Sequence, residues 1–267
     1  MGTAHGQFRL PEAVTSDPIG QRLYVADTGN NRIQWSTDGG ASWQLFASLG
    51  SAPNQVRAPQ GLALDSVGNL YVADTGNGRV LRFAQAEPGS GVVIATNGAA
   101  SGQVGSPRGL VIDQHFNLYV TDESNSRILK IANAHTVTTA TSGAVIALAG
   151  LALNRVQKPQ GIALDDEGNL YLADTGNSRI LRWANANPNQ ATALALVGPQ
   201  LGQVNAPEGV TVSRFASGPF AGQSVLVIAD TGNHRLESRL IAGGPWSPVG
   251  SPNGSGPGQF RAPSKIR

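Results

Sequence analysis

Five aspartates recur along this chain, each followed five residues later by an arginine: Asp27 and Arg32, Asp74 and Arg79, Asp122 and Arg127, Asp174 and Arg179, Asp230 and Arg235. A carboxylate and a guanidinium at this spacing can pair across a tight turn. The letters between them are turn letters. In "DTGNNR" the Asp can accept from turn N–H groups, and Gly29 can take the left-handed conformation. A catalytic pair written five times would be odd, whereas a turn can be repeated freely. The third copy, "DESNSR", has Glu123 and Ser124 in place of Thr and Gly, which a turn tolerates. The pairs therefore read as hairpin construction, worth about 0–1 kcal/mol each if exposed.

Other reactive side chains are sparse. The histidines are His5, His115, His135 and His234, with no H-x-x-x-H spacing and no shared repeat position. A His-ligated metal site needs three or four converging ligands. There is no cysteine, so disulfides and thiolate metal sites are absent. No nucleophile elbow, phosphate loop or EF-hand spelling occurs. No catalytic residue and no metal ligand is assigned.

The elements that carry the pairs are short strands. The hairpin aspartates lie 47, 48, 52 and 56 residues apart, and Pro11, Pro59, Pro107, Pro159 and Pro207 each open a unit. In the second unit, "GLALD", "NLYVAD" and "RVLRF" read as three strands joined by the turns "SVG" and "TGNG". A less regular fourth follows, "GVVIAT" here and "AVIALA" one unit later. Four strands in ~45–50 residues is the period of a propeller blade. "LYVAD" is apolar on both faces, as a strand sandwiched between neighbours must be. Small residues recur in the first strand, as Gly61/Ala63, Gly109/Val111, Gly161/Ala163 and Gly209/Thr211, where converging blades leave least room. The first unit departs from this with Ala13, Thr15 and Ser16.

The pattern "PxGxAxD…GNLYVADTGNxRI" resembles the NHL repeat, and the resemblance extends over five units. It implies an all-β fold, a β-propeller of four-stranded blades with five blades. The alternative is a fragment of a six-bladed propeller, because "GQFRAPSKIR" at the end echoes "GQFRLPEAVT" at the start. The expected organisation is one domain, 1–267, with blades at 11–56, 57–104, 105–156, 157–204 and 205–255, and an extra strand of a further repeat at 256–267.

Propeller topology sorts the loops. Hairpin turns and links between blades share an upper face, where each inner strand begins. The residue after each opening Pro should then cluster at the axial mouth: Glu12, Gln60, Arg108, Gln160 and Glu208. This is the candidate ligand-binding set, suited to a small anion or a metal. Paired charges of this kind mark sites only probabilistically. Some related propellers are metal-dependent lactonases or lyases with carboxylates, Asn or His around that axis. The resemblance thus carries Ca or Zn as an alternative to no cofactor. A second segment, "STDGGASW", resembles an Asp-box turn, with Ser36, Asp38, Gly40 and Trp43 in its signature positions. In sialidase-like propellers that turn is structural, so it reads as a brace for blade one. The fifth unit has an insertion, Ser213 to Ser224, whose Phe215 and Phe220 could form an adhesive protrusion.

Composition narrows the function classes. With 19 Lys+Arg against 17 Asp+Glu the chain is nearly neutral, and its arginines are scattered, so nucleic-acid binding is unfavoured. RNA binding through the upper face is the lesser alternative. "MGTAHGQFRL" has no apolar h-region, and no apolar run reaches membrane-spanning length. Low charge, no Cys and many Thr, Asn and Gly fit a monomeric module of a larger exported bacterial protein, extracellular or periplasmic. The favoured reading is a non-catalytic scaffold for a protein, peptide or glycan, and the alternative is a lactonase- or lyase-like enzyme.

Overall fold

Gly- and Asn-rich turns every few residues break the chain into short strands, and among the described residues these form five sheets of four or five strands in chain order and one two-stranded sheet. The computed structural model describes residues 2–17, 21–138, 143–150, 152–215, 217, 221–252, 259–260 and 263. The fold is all-β, a five-bladed β-propeller. The main strands of the first blade are Ala13–Ser16, Leu23–Asp27, Arg32–Ser36 and Gln44–Leu49. Those of the second are Pro59–Leu64, Leu70–Asp74, Arg79–Phe83 and Gly91–Asn97. The third has Pro107–Ile112, Leu118–Asp122, Arg127–Ile131 and Ala144–Ala149. The fourth has Ile162–Leu164, Leu170–Asp174, Arg179–Trp183 and Ala191–Val197. The fifth has Gly209–Arg214, Ser224–Asp230, Arg235–Leu240 and Ser247–Val249.

The first four sheets add a two-residue strand that the four-strand pattern omits. Gln55–Val56, Gln103–Val104, Arg155–Val156 and Gln203–Val204 each run parallel to the outer strand just completed. The link to the next blade thus first retraces the edge it leaves. That also covers the edge strand's free backbone groups.

Two compact units divide the chain, residues 1–125 with 129–145 and residues 126–128 with 146–267; the division runs through the third sheet. In the first unit, Tyr24, Ala26, Ile33 and Phe46 of blade one pack with Leu62, Leu70, Val72, Leu81 and Phe83 of blade two. The alternate residues of blade two, Tyr71, Ala73, Val80 and Ile94, pack with Leu110, Leu118, Val120, Leu129 and Ile131. In the second unit Tyr171, Ala173 and Ile180 meet Val210, Leu226 and Ile228. The "LYVAD" strand of blade two therefore serves two neighbours, with Leu70 and Val72 to one side and Tyr71 and Ala73 to the other. Its period of two is hidden because both faces are buried.

The inner strands approach each other backbone to backbone. A Cβ on Gly61 would lie 2.1 Å from the Arg108 carbonyl oxygen, and one on Gly161 2.7 Å from that of Glu208. Small residues at these places are thus a packing requirement. No helix among the described residues is long and apolar enough to cross a membrane.

Candidate functional site

The hairpin turns are built alike. Asp74 ends the second strand, Thr75–Asn77 form a single 3₁₀ turn, and Gly78 at φ +62° returns the chain into the third strand. The left-handed residue is this one, and its counterparts are Asn31, Ser178 and His234. That corrects the expectation for Gly29. Gly29 and Gly76 are required for a different reason: a Cβ there would lie 2.7 Å from the carbonyl oxygens of Arg9 and Arg57. Each glycine N–H donates to that same carbonyl, at 2.9 and 2.8 Å.

The Asp–Arg pairs form, but not as surface pairs. Arg Nε meets Asp Oδ2 at 2.7 Å for Arg32–Asp27, 2.6 Å for Arg79–Asp74, 2.6 Å for Arg179–Asp174 and 2.8 Å for Arg235–Asp230. The aspartate side chains are fully buried in all four pairs. Asp122 and Arg127 are buried as well. Asp74 accepts from the Arg57 N–H at 2.6 Å and from Asn77 Nδ2 at 2.8 Å. Arg79 donates to the carbonyls of Ser51, Ala52 and Gln55 at 2.6–2.9 Å. Asn77 donates to the carbonyl of Gly50. The carboxylate, amide and guanidinium thus grip the whole link that enters their blade. Arg32 holds Thr3, Ala4 and Gln7 the same way, and Arg235 holds Pro199, Gln200 and Gln203.

Burial pushes the Asp74 and Asp174 carboxyls up from the usual carboxylate range, against the backbone N–H groups of Arg57 and Gln157 and the Asn and Arg partners. The next link is held by a threonine. Thr28 Oγ1 donates to the Pro59 carbonyl at 2.6 Å, Thr175 to that of Pro207 at 2.7 Å and Thr231 to that of Pro263 at 2.6 Å; Thr75 bonds Pro107 likewise. Of the extra strand expected at 256–267, only residues 259, 260 and 263 are described.

A second network ties the turn between the first two strands to the second strand. Asp65, in the turn between the first two strands, accepts from the N–H groups of Val67 and Asn69, from Asn69 Nδ2 at 2.7 Å and from the Tyr71 hydroxyl at 3.0 Å. Asp113 with Asn117 and Tyr119, and Asp165 with Asn169 and Tyr171, repeat it. The signal is "D…NLY", with Asp, Asn and Tyr at fixed offsets in all three copies. Burial first, then the neighbouring Asp, raises these three tyrosines above the usual phenol range.

The five residues after the opening prolines take several partners. In the first unit Gln60 Nε2 donates to Glu12 Oε1 at 3.0 Å. Arg108 instead pairs with Glu123 of its own blade's hairpin at 2.6 Å. In the second unit Gln160 and Glu208 precede the inner strands of neighbouring blades, their N–H groups donating to the carbonyls of Ala173 and Ala229. Among the described residues no group of three or more His, Cys, Asp or Glu is placed to hold a metal. His234 occupies the left-handed turn position, and the His135 ring lies 4.1 Å from that of Phe116.

The turn "STDGGASW" is stitched by its own side chains. Ser36 Oγ donates to Asp38 Oδ1 at 2.7 Å, and Asp38 accepts from the Ser42 N–H and hydroxyl at 2.9 and 2.6 Å. Gly40 sits at φ +96°, and Trp43 Nε1 donates to its carbonyl. The Ser42 bonds lead in lowering the Asp38 carboxyl to about 2 from 3.8. A carboxyl lowered by folding stabilises the turn above its unfolded value and loses that contribution as pH falls through about 2. The Ser42 amide resonance should therefore titrate with a midpoint of about 2 on acidification, and D38N should abolish the transition. A midpoint near that of an ordinary aspartate would mean that these bonds are not made in solution. Of the fifth-blade insertion, Phe215 is partly exposed and Phe220 lies outside the described residues.

Comparison with known proteins agrees with this geometry. The NHL repeat model matches residues 57–83 and 156–183. No curated protein sequence matches the chain. Among solved structures, a streptogramin B lyase superposes with a TM-score of 0.63 at 16% identity, over 89% of this chain and 67% of the lyase. The nidogen/laminin complex gives 0.65 at 19% identity, over 87% and 76%. An inactive virginiamycin B lyase from Staphylococcus aureus with quinupristin gives 0.63 at 13% identity, over 89% and 69%. At these identities the likeness is one of fold.

Proposed function

We propose that this chain, a five-bladed β-propeller carrying NHL repeats, is a binding scaffold for a protein or peptide partner. One observation carries the reading. The polar side chains that the repeat multiplies are turned inward onto links between blades, while apolar side chains at an outer edge face solvent. In blade four Leu196, Val197 and Leu201 are 58, 66 and 50% exposed. They lie on the outer strand and the turn that follows it, with Leu196 and Val197 paired to Gln203 and Val204. Exposed apolar groups gathered at one edge are characteristic of surfaces that other proteins cover. A chain of the nidogen/laminin complex shares the fold, which adds support for a protein ligand. The arginines that an RNA-binding face would use are engaged with Asp and backbone carbonyls, which disfavours that role.

The test is peptide selection on the intact protein, with the triple variant L196S/V197S/L201S as the counter-target. Peptides retained by the wild type and lost by the variant are the expected outcome. Selection that yields only peptides binding both proteins equally would remove this edge from consideration. The enzyme reading has the lyase-like fold and the bonded Glu12–Gln60 pair in its favour. Its mark would be a rise in Tm with calcium or zinc that E12Q abolishes, since a ligand of the native state stabilises by mass action.

A further inference from the structure

Two arginines line one cavity in the second unit. The cavity, about 40 Å³, is bounded by Tyr171, Arg182 and Leu194 of blade four and by Leu226, Arg239 and Ile241 of blade five. Strand register accounts for the meeting. Arg182 pairs with Tyr171 across one hairpin, and Arg239 pairs with Leu226 across the other. Among the described residues neither arginine is in an ion pair. Arg182 adjoins Tyr171, whose hydroxyl donates to Asp165, and Asp165 also accepts from Asn169. Arg239 lies over the Trp246 ring, 5.9 Å from its centroid.

The other blades show that this arrangement is not demanded by the repeat. The place of Arg239, nine residues after the hairpin Asp, is held by Phe83, Ile131 and Trp183 in blades two to four, all buried. Arg82, the counterpart of Arg182, is buried and donates to the His135 carbonyl. Blade five has therefore replaced a core side chain with a second cation where an apolar one would pack.

We propose that this cleft binds the oxyanion head of a small ligand, a phosphate or a carboxylate, between Arg182 and Arg239. Two guanidiniums lining one cavity repel each other, and an anion between them turns that repulsion into two attractions. Planar guanidinium forks match the oxygens of either group. A water needs roughly 10–15 Å³ of such space, so the cavity has room for one oxyanion head and not for a whole metabolite. The site is separate from the apolar edge of blade four, and each can fail without the other.

Titration of the intact chain with sodium phosphate, sodium acetate and sodium chloride at equal ionic strength tests this. Phosphate or acetate should raise Tm saturably beyond chloride and shift tryptophan emission, and W246F should lose that shift. The more effective salt identifies the head group. R239L, which restores an apolar residue, should weaken the effective anion by about tenfold or more. It should also be more stable than wild type in chloride alone. Should R239L fail to fold, R182Q makes the same comparison. Superimposable curves for the three salts, or full affinity in the folded variant, would overturn the proposal.

Discussion

Asp74→Ala should destabilise the protein by about 3–5 kcal/mol, the usual cost of leaving one partner of a buried ion pair unpaired. The Asp74 side chain is fully buried, and Arg79 beside it is 11% exposed. Without the carboxylate, the Arg79 charge remains inside, held only by carbonyls of the Ser51–Gln55 link. The Arg57 N–H also loses its acceptor. Urea denaturation should show a lower midpoint with an unchanged slope. Asp74→Asn retains one acceptor oxygen and should lose less. An alanine variant with the wild-type midpoint would show that the clamp is a geometric habit of the repeat with no energetic role.

The second large effect is expected from Phe83→Ala, also about 3–5 kcal/mol, as for other buried aromatic truncations. Phe83 is fully buried at the end of blade two's third strand. Its ring meets Phe46 of blade one edge-on, with centroids 5.0 Å apart. Phe46 in turn contacts Tyr24 and Trp35, at 5.5 and 5.8 Å. Removing Phe83 opens a cavity between two blades that a stiff, strand-paired backbone cannot fill. Phe83→Leu should cost much less, and equal losses for the two variants would count against packing as the cause. The near-UV circular dichroism of the alanine variant should also weaken, since four aromatic rings share this contact.

Much of this architecture is legible in the sequence. The recurrence of Asp and Arg at a constant offset located each hairpin. The doubly apolar "LYVAD" strands required neighbours on both faces, and alternate packing of Leu70 with one blade and Tyr71 with the next meets that requirement. The depth of the Asp–Arg pairs was not readable. Their partners are backbone carbonyls of Ser51, Ala52 and Gln55, and a carbonyl has no letter of its own. For the same reason the turn letters point to a left-handed Gly29, whose constraint is instead the nearby Arg9 carbonyl. The Arg182–Arg239 cavity was hidden differently. The offset from Asp230 marks Arg239 as the odd residue, but that it meets Arg182 depends on which residues of separate repeats face each other across a cleft.

The threonine-to-proline bond and the arginine grip have one consequence for how such a molecule can grow. Units one, two, four and five each bring a latch for the strand that follows and a keeper for the stretch before it, while in the third Glu123 stands in the threonine's place. A tandem duplication therefore inherits working joints on both sides and needs no compensating changes elsewhere. Joints of this kind couple only adjacent members, so damage at one should spread by neighbours, not at once through the whole array. Pro263, seated under Thr231 as Pro59 is under Thr28, shows the same joint being used beyond the five main sheets.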